Sequence, residues 1–176
     1  ECYMLLKMLL NMVIICCSSA LGNKLANREI YRIRDIRTLQ ICFAKLETEI
    51  IYYCTFLPDA LENVGKSTRG GVGKFLSQVS ANLINKNGSS IEEAWSVALE
   101  ASKEYLKLID DDYDVIRTFG CQLGVADRTS QRQLFEILQL QLKKQEKKAE
   151  ENRDRYERMY RSLGFLSGLA IIIILF

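Results

Sequence analysis

The strongest constraint on the fold is a regular spacing of apolar residues between Ile36 and Leu57. They follow one another at alternating steps of three and four positions, a heptad-like pattern that places them on one side of an α-helix. The pattern predicts roughly six turns of helix that pack against a partner helix. Its members are Ile36, Leu39, Phe43, Leu46, Ile50, Tyr53 and Leu57.

The rest of the chain also favours helices over strands. No segment alternates apolar and polar residues over the length of a strand with turn residues on both sides. The chain has one proline, Pro58, and its 176 residues are enough for one domain with a real core. We therefore predict an all-α fold, a cytoplasmic multi-helix bundle whose long first and last helices continue into transmembrane segments.

Turn residues predict where the helices of the first half begin and end. Pro58 stands at a position tolerated at the start of a helix, and Gly65 is the natural end of that helix. A glycine-rich turn over residues 69–73 then leads to another helix, which ends near positions 87–88. We expect a short helix and a longer one on either side of this turn.

Capping signals predict the helices of the second half. Serines at positions 89 and 90, with Glu92 and Glu93, form a capping box before the segment IEEAWSVALEAS. Aspartates from position 110 open a further helix that stops at Gly124, where glycine can take the left-handed end conformation. Asp127 caps the last helix, which runs into the C-terminal apolar segment.

The last helix changes character along its length. Leu134, Leu138 and Leu142 form a stripe that is expected to face the bundle. In residues 143–161, 13 of 19 side chains are charged, eight basic and five acidic. This composition is typical of a solvated helical stalk leading to a membrane, and contact with a partner or with anionic headgroups is the functional alternative.

Both ends of the chain are apolar. Residues 1–21 are assigned as an N-terminal transmembrane segment, because residues 3–21 are just long enough for a span of about 20 residues. Residues 163–176 are assigned as a C-terminal transmembrane segment, although as a helix they cover only about 21 Å of a hydrocarbon core of about 30 Å. Because the chain also begins with Glu1, we expect that the sequence is trimmed at one or both ends.

Arginines and lysines flank both apolar ends on the side of the middle segment. Under the positive-inside rule both flanks are cytoplasmic, so residues 22–162 are predicted to form a cytoplasmic helical domain. The basic residues that carry this argument are Lys24, Arg28, Arg32, Arg34, Arg37, Arg153, Arg155, Arg158 and Arg161. A cleaved secretory signal with small residues at positions 18–20 is the alternative, and it would make the protein a secreted helical factor.

Composition narrows the possible chemistry. The chain has no histidine, which removes the commonest general base, the usual metal ligand and nucleophile arrangements that depend on His. None of its six cysteines forms a C-x-x-C pair, so a thiolate metal site has no local support. The net charge is only +2, which gives no basic field for nucleic acid. We expect no catalytic residue, cofactor, metal or nucleic-acid partner.

The segment ALENVGKS, ending in Gly65, Lys66 and Ser67, fits a relaxed phosphate-loop pattern. A working phosphate loop follows a buried strand and opens a helix, so that backbone N–H groups converge on the phosphates. Here a helix is expected to end at Gly65, and no hydrophobic strand precedes it. A nucleotide-binding regulator that uses these three residues is the alternative function.

A second metal-like pattern is the segment LIDDDYDVI. Asp110, Asp112 and Asp114 fit the first positions of a calcium loop, but Val115 replaces the required glycine and Cys121 replaces the final glutamate. Acidic residues in the first turn of a helix stabilise it without any metal. We therefore interpret these aspartates as a helix start.

Four separated pieces of the chain resemble one protein family. They are YCTFLPDAL, EEAW, LGVADRTSQ and the terminal YRSLGFLSGL, which together with the two apolar ends span nearly the whole chain. In this combination they are similar to the stage III sporulation protein AB family of endospore-forming bacteria. The positions that the resemblance carries over are Pro58, Trp95, Gly124, Asp127, Gln131 and Gly164.

The resemblance implies a non-enzymatic platform in the mother-cell membrane, within the complex that links mother cell and forespore. The family's helical domain is similar to those of platform proteins in type II secretion and type IV pilus systems. The implied partners are a secretion-type ATPase of the same operon and other membrane subunits; a homo-oligomer is a further alternative. Gly168 completes a G-x-x-x-G pattern with Gly164. The candidate partner-binding residues, which are first of all fold-defining, are Trp95, Gly124, Asp127, Gln131, Gly164 and Gly168.

Overall fold

A computed structural model of the chain describes residues 27–85, 90–124 and 128–175. These residues form six α-helices and no strand, which confirms the all-α prediction for the described part of the chain. Helix α1 covers residues 27–47 and continues into a π-helical turn at Thr48–Tyr52. The other helices are α2 Leu57–Ser67, α3 Gly71–Asn85, α4 Ile91–Ser102, α5 Asp110–Leu123 and α6 Arg128–Leu175.

The chain divides into two units. One is Arg32–Lys147, and the other comprises Glu1–Tyr31 with Lys148–Phe176. The first unit, which we call the bundle, contains a hydrophobic core to which all six helices contribute. The bundle carries the features analysed below.

Aromatic rings occupy the centre of the bundle core. Trp95 of α4 is 1% exposed and lies 6.3 Å from Phe43, 5.5 Å from Phe75 and 5.7 Å from Phe119, measured between ring centroids. Phe119 in turn lies 5.0 Å from Phe135. One residue from each of five helices thus meets in a single cluster, where edge-to-face pairs add to the energy of area burial.

The first helix ends earlier than its apolar spacing predicts. The regular α-helix stops at residue 47, and after the π-helical turn Cys54 takes a left-handed conformation with a φ of +53°. Tyr53 is 71% exposed, so the prediction of six continuous turns packed through Leu57 is wrong. A proline inside a helix clashes with the carbonyl group four residues earlier, which for Pro58 is that of Cys54. The chain therefore bends before α2 begins.

The prediction that α2 ends at Gly65 is wrong, because the helix continues to Ser67. Its role is close packing between α2 and α3. A Cβ atom at Gly65 would lie 2.4 Å from Ser77 Oγ, and one at Gly73 would lie 2.0 Å from the carbonyl oxygen of Thr68. The turn that was expected over residues 69–73 is shorter, since α3 already begins at Gly71.

The later helices follow their capping signals closely. Ser90 Oγ accepts a hydrogen bond of 3.2 Å from the backbone N–H of Glu93 at the start of α4, as predicted. Helix α5 ends at Gly124, also as predicted. However, Gly124 has a φ of −72°, so the expected left-handed conformation is wrong. The cap that was assigned to Asp127 lies outside the described residues.

The predicted stripe on α6 does face the core. Leu138 and Leu142 are buried, and Leu134 packs partly against the same cluster. The N-terminal apolar segment lies outside the described residues. Within the parts of the chain that the structure describes, no helix combines the length and apolarity required to span a membrane.

Candidate functional site

The phosphate-loop-like residues form the last turn of α2. Ser67 Oγ donates to the carbonyl oxygen of Val64 at 3.0 Å, and Lys66 Nζ lies 2.6 Å from Glu62 Oε1. The backbone N–H of Thr68 donates to the carbonyl oxygen of Gly65. Phosphates bind at the N-terminal end of a helix, where N–H groups are free, whereas this segment is at the C-terminal end with its partial negative charge. The geometry is therefore wrong for a phosphate cradle.

An open cleft of about 270 Å³ adjoins this turn. Two hydroxyl groups line the cleft, and both donate hydrogen bonds to the backbone of their own helix. Thr48 Oγ1 donates to the carbonyl oxygen of Ala44, and Ser67 Oγ donates to that of Val64. The cleft thus lies beside the C-terminal ends of α1 and α2. Its lining residues are Lys45, Thr48, Glu49, Asn63, Val64 and Ser67.

The aspartate run has structural partners. Asp112 is fully buried and accepts two hydrogen bonds from the Arg32 guanidinium, 2.7 Å from Nε and 2.9 Å from Nη2. It also accepts the backbone N–H of Ile109 at 3.1 Å, which caps α5. Asp114 pairs with Arg117 at 3.0 Å. Across the described ranges, no group of three or more His, Cys, Asp or Glu residues is arranged to hold a metal ion.

The sequence reasoning missed the buried Arg32–Asp112 pair. Arg32 was counted among the basic residues that flank the N-terminal apolar segment, and its side chain is only 2% exposed. One signal was available, because Arg32 lies one helical turn before Ile36 and so shares the buried face of α1. Its partner is 80 positions away along the chain, and no local pattern identifies it.

A second ion pair joins α1 and α6 at the surface of the bundle. The Arg37 guanidinium donates to Glu146 Oε1, and the side-chain amide of Gln40 donates to Glu146 Oε2 at 3.0 Å. The hydrogen bond from Arg37 is the main reason that the pKa of Glu146 lies below its usual value. Gln139 adds a hydrogen bond of 2.9 Å to the carbonyl oxygen of Gln40. These contacts fix the register of the two helices.

The bend between α1 and α2 displays three large aromatic side chains to solvent. Tyr52 is 62% exposed, Tyr53 71% and Phe56 72%. We call these three residues the aromatic corner. Single exposed apolar residues are ordinary, but a group of large ones close together marks an interaction surface. A π-helical turn next to the group is also frequent at functional sites.

The candidate partner-binding residues have different positions. Trp95 is buried in the bundle core, and the half-buried Gln131 lies in the first turns of α6. Gly124 is exposed, and a Cβ atom there would lie 3.2 Å from Ile91 Cβ. Gly164 and Gly168 lie within α6, in a part of the helix whose side chains are not described, and Asp127 is outside the described residues. Their role in binding a partner therefore stays a prediction.

Comparisons with known proteins agree with one another. The family model described as stage III sporulation protein AB matches residues 7–176. The chain is 33% identical over 171 residues to the stage III sporulation protein AB of Bacillus subtilis (strain 168), with 97% of this chain and 99% of that protein covered.

This chain belongs to the stage III sporulation protein AB family.

A solved structure of a stage III sporulation protein AB matches the fold of this family member. The TM-score is 0.65 at 31% identity, with 70% of this chain and 96% of the solved chain covered. The resemblance that was drawn from the sequence is thereby confirmed. As a member of the stage III sporulation protein AB family, the chain is a sporulation protein.

Proposed function

We propose that this protein is a non-enzymatic, membrane-anchored platform of a secretion-like channel complex between mother cell and forespore. Its helical bundle faces the mother-cell cytoplasm and engages a secretion-type ATPase. The apolar ends and their basic flanks support the anchoring and the orientation. Family membership supports the place in sporulation.

The observation that carries the proposal is the aromatic corner. Tyr53 and Phe56 are large, exposed and held at a bend of fixed geometry, which is what a protein-binding surface needs. By contrast, the one phosphate-like segment has its helix polarity reversed, so ATP chemistry is assigned to the partner. The bundle then acts by holding the partner in place.

Co-purification tests the proposal. The full chain in detergent is mixed with the secretion-type ATPase of the same organism, with and without ATP, and an unrelated hexameric ATPase serves as the control. We expect specific association that changes with nucleotide. If the full chain never retains the ATPase in either state, the platform role is refuted.

A nucleotide titration of the purified chain separates the platform from a nucleotide-binding regulator. Lys66 is 71% exposed and pairs with Glu62 on the same helix, so Lys66→Ala leaves the fold intact. We expect that neither the wild type nor this variant binds ATP. ATP binding that is lost on Lys66→Ala would instead support the regulator.

The exposed thiol of Cys54 tests the orientation. A membrane-impermeant maleimide is added to protoplasts of sporulating cells and to inside-out vesicles, and the labelled residue is identified by mass spectrometry. We expect Cys54 to be labelled in the vesicles and protected in the protoplasts. Labelling in the protoplasts would contradict a cytoplasmic bundle.

A further inference from the structure

The aromatic corner is rigid. The backbone N–H of Thr55 donates to the carbonyl oxygen of Glu49 at 2.9 Å, and Thr55 Oγ1 donates to Glu49 Oε2 at 2.7 Å. On the other side, Ser80 Oγ of α3 donates to the carbonyl oxygen of Pro58 at 2.8 Å. Both ends of the bend are therefore tied to neighbouring structure. A backbone that is already ordered loses little conformational entropy when a partner binds.

The surroundings of the corner are acidic. Residues 46–65 contain four acidic side chains and no basic one, and Lys45 and Lys66 border this stretch. Glu49 is held by Thr55, and Glu62 is paired with Lys66. Glu47 and Asp59 form no hydrogen bond through their side chains and no ion pair within the described residues. Along the sequence, these two carboxylates stand on either side of the exposed rings, and neither has an ion-pair partner within the described residues.

Acidic charge next to exposed aromatic rings favours a positively charged binding partner. A cation over a tyrosine ring is attracted by the ring quadrupole, and arginine stacks on aromatic faces better than lysine does. A guanidinium can also donate two hydrogen bonds to one carboxylate. Anionic lipid surfaces and nucleic acids carry the wrong sign of charge for this site.

We propose that the aromatic corner, with Glu47 and Asp59 at its rim, binds an arginine-rich basic segment of a protein partner. Arginine side chains of that segment stack on Tyr52 and Tyr53 and pair with the two carboxylates. The inference deepens the proposed function and rests on it, since it names the surface and the chemistry through which a platform would hold its partner.

Binding of defined peptides tests the proposal. Three fluorescein-labelled peptides of about 18 residues share an Ala/Ser/Gly background and differ in carrying Arg, Lys or Glu at the same positions. Fluorescence anisotropy is measured with the full chain in maltoside micelles, and empty micelles serve as the blank. We expect the Arg peptide to bind about tenfold more tightly than the Lys peptide, and the Glu peptide not to bind.

Variants localise the binding. Tyr53→Ala with Phe56→Ala removes two exposed rings, and we expect it to weaken binding of the Arg peptide by about tenfold. The matched control is Ile137→Ala with Leu140→Ala, which removes exposed apolar side chains of α6 that are 51% and 69% exposed. The control is expected to bind like the wild type. Equal binding by all three proteins would overturn the proposal.

The acidic rim needs its own variant. Glu47→Gln with Asp59→Asn keeps the shape of both side chains and removes their charge. We expect it to weaken binding of the Arg peptide and to reduce the salt dependence of the affinity. Unchanged affinity and salt dependence would refute the part of the proposal that concerns charge.

The possibility that the corner binds a second copy of this chain is tested by sedimentation. If Tyr53→Ala with Phe56→Ala abolishes self-association and leaves peptide binding unchanged, the occupant is another copy and the proposal is overturned. The far-ultraviolet circular dichroism of each variant must match the wild type. Because five of the six substituted positions are exposed and Glu47 is half-buried, we expect that it will.

The failure of this inference can be distinguished from the failure of the proposed function. If Tyr53→Ala with Phe56→Ala (the corner variant) loses the Arg peptide but retains the ATPase, the corner binds a basic partner other than the ATPase. That result supports binding of an arginine-rich segment but not its place in the platform role. If the wild type binds the Arg peptide but never the ATPase, the proposed function fails and the corner chemistry stands. If the corner variant retains both, the inference fails and the platform role stands.

Discussion

Replacing Gly120 by alanine tests how tightly the bundle core is built. The indole N–H of Trp95 donates to the carbonyl oxygen of Ile116 at 3.1 Å. Gly120 lies one helical turn after Ile116, so the indole ring crosses α5 directly over the glycine. A Cβ atom at Gly120 would lie 2.3 Å from Trp95 Cγ and Cδ1 and 2.5 Å from Nε1.

Three contributions set the size of the effect. Alanine is favoured over glycine in a helix by about 1 kcal/mol. Overpacking costs about 1–3 kcal/mol, and the ring has no free direction because Phe43, Phe75 and Phe119 surround it. Displacing the indole also leaves a buried N–H without its acceptor, which costs about 1–3 kcal/mol. The sum is a loss of about 3 kcal/mol in the free energy of unfolding.

The assay is thermal unfolding of the full chain in detergent, followed by circular dichroism at the helix band. Gln122→Ala on the exposed face of α5 is the matched control, and it is expected to differ little from the wild type. Trp95→Phe in the Gly120→Ala background should recover part of the loss, since the smaller ring leaves room for a methyl group. If Gly120→Ala is as stable as the wild type, the close packing described here is refuted.

The buried ion pair, the left-handed residue and the partly buried carboxylate each give a further expected outcome. Arg32→Met leaves the Asp112 carboxylate in the core without this ion-pair partner and should lower the free energy of unfolding by about 3–5 kcal/mol. Adding Asp112→Leu should restore only part of the loss, because it also removes the acceptor of the Ile109 N–H that caps α5. Chemical denaturation of the single and double variants measures both. Cys54→Gly should raise the thermal midpoint by an amount equivalent to about 1 kcal/mol, because glycine adopts a positive φ without strain, and a lower midpoint would contradict that account. The depressed pKa of Glu146 means that its stabilisation is complete above the pKa of the unfolded chain, near 4.5, and is lost as the pH falls through the lower folded value. Arg37→Ala should therefore flatten the fall in stability below about pH 4.5, as measured by unfolding over a pH series.

Features that depend on neighbouring residues could be predicted from the sequence. The start of α4 follows from one serine and the glutamates after it, because an N-cap is a contact within one turn. The end of α5 at Gly124 follows from a glycine at the close of an apolar pattern. The stripe of Leu138 and Leu142 on α6 follows from helical spacing alone.

The aromatic corner could not be found in the same way. The spacing that predicts α1 continues through Tyr53 without interruption, and an exposed aromatic residue has the same place in an apolar pattern as a buried one. The only local sign of a bend is Pro58, and it lies after the corner. The π-helical turn and the left-handed Cys54 form where α1 must stop and α2 must pack on α3, which is a tertiary constraint.

The packing of α2 on α3 also explains why the chain carries a false phosphate loop. A phosphate loop needs glycine because a phosphate must approach the backbone more closely than a side chain would allow. Here Gly65 and Gly73 are needed because the two helices approach each other, so closely that a Cβ atom at either position would clash with Ser77 or Thr68. Both demands are met by glycine, and at Gly65 it happens to precede a lysine and a serine as it does in a phosphate loop. What separates them is the helix end on which the glycine lies, and in this chain that is the C-terminal end of α2, where backbone carbonyl oxygens repel a phosphate.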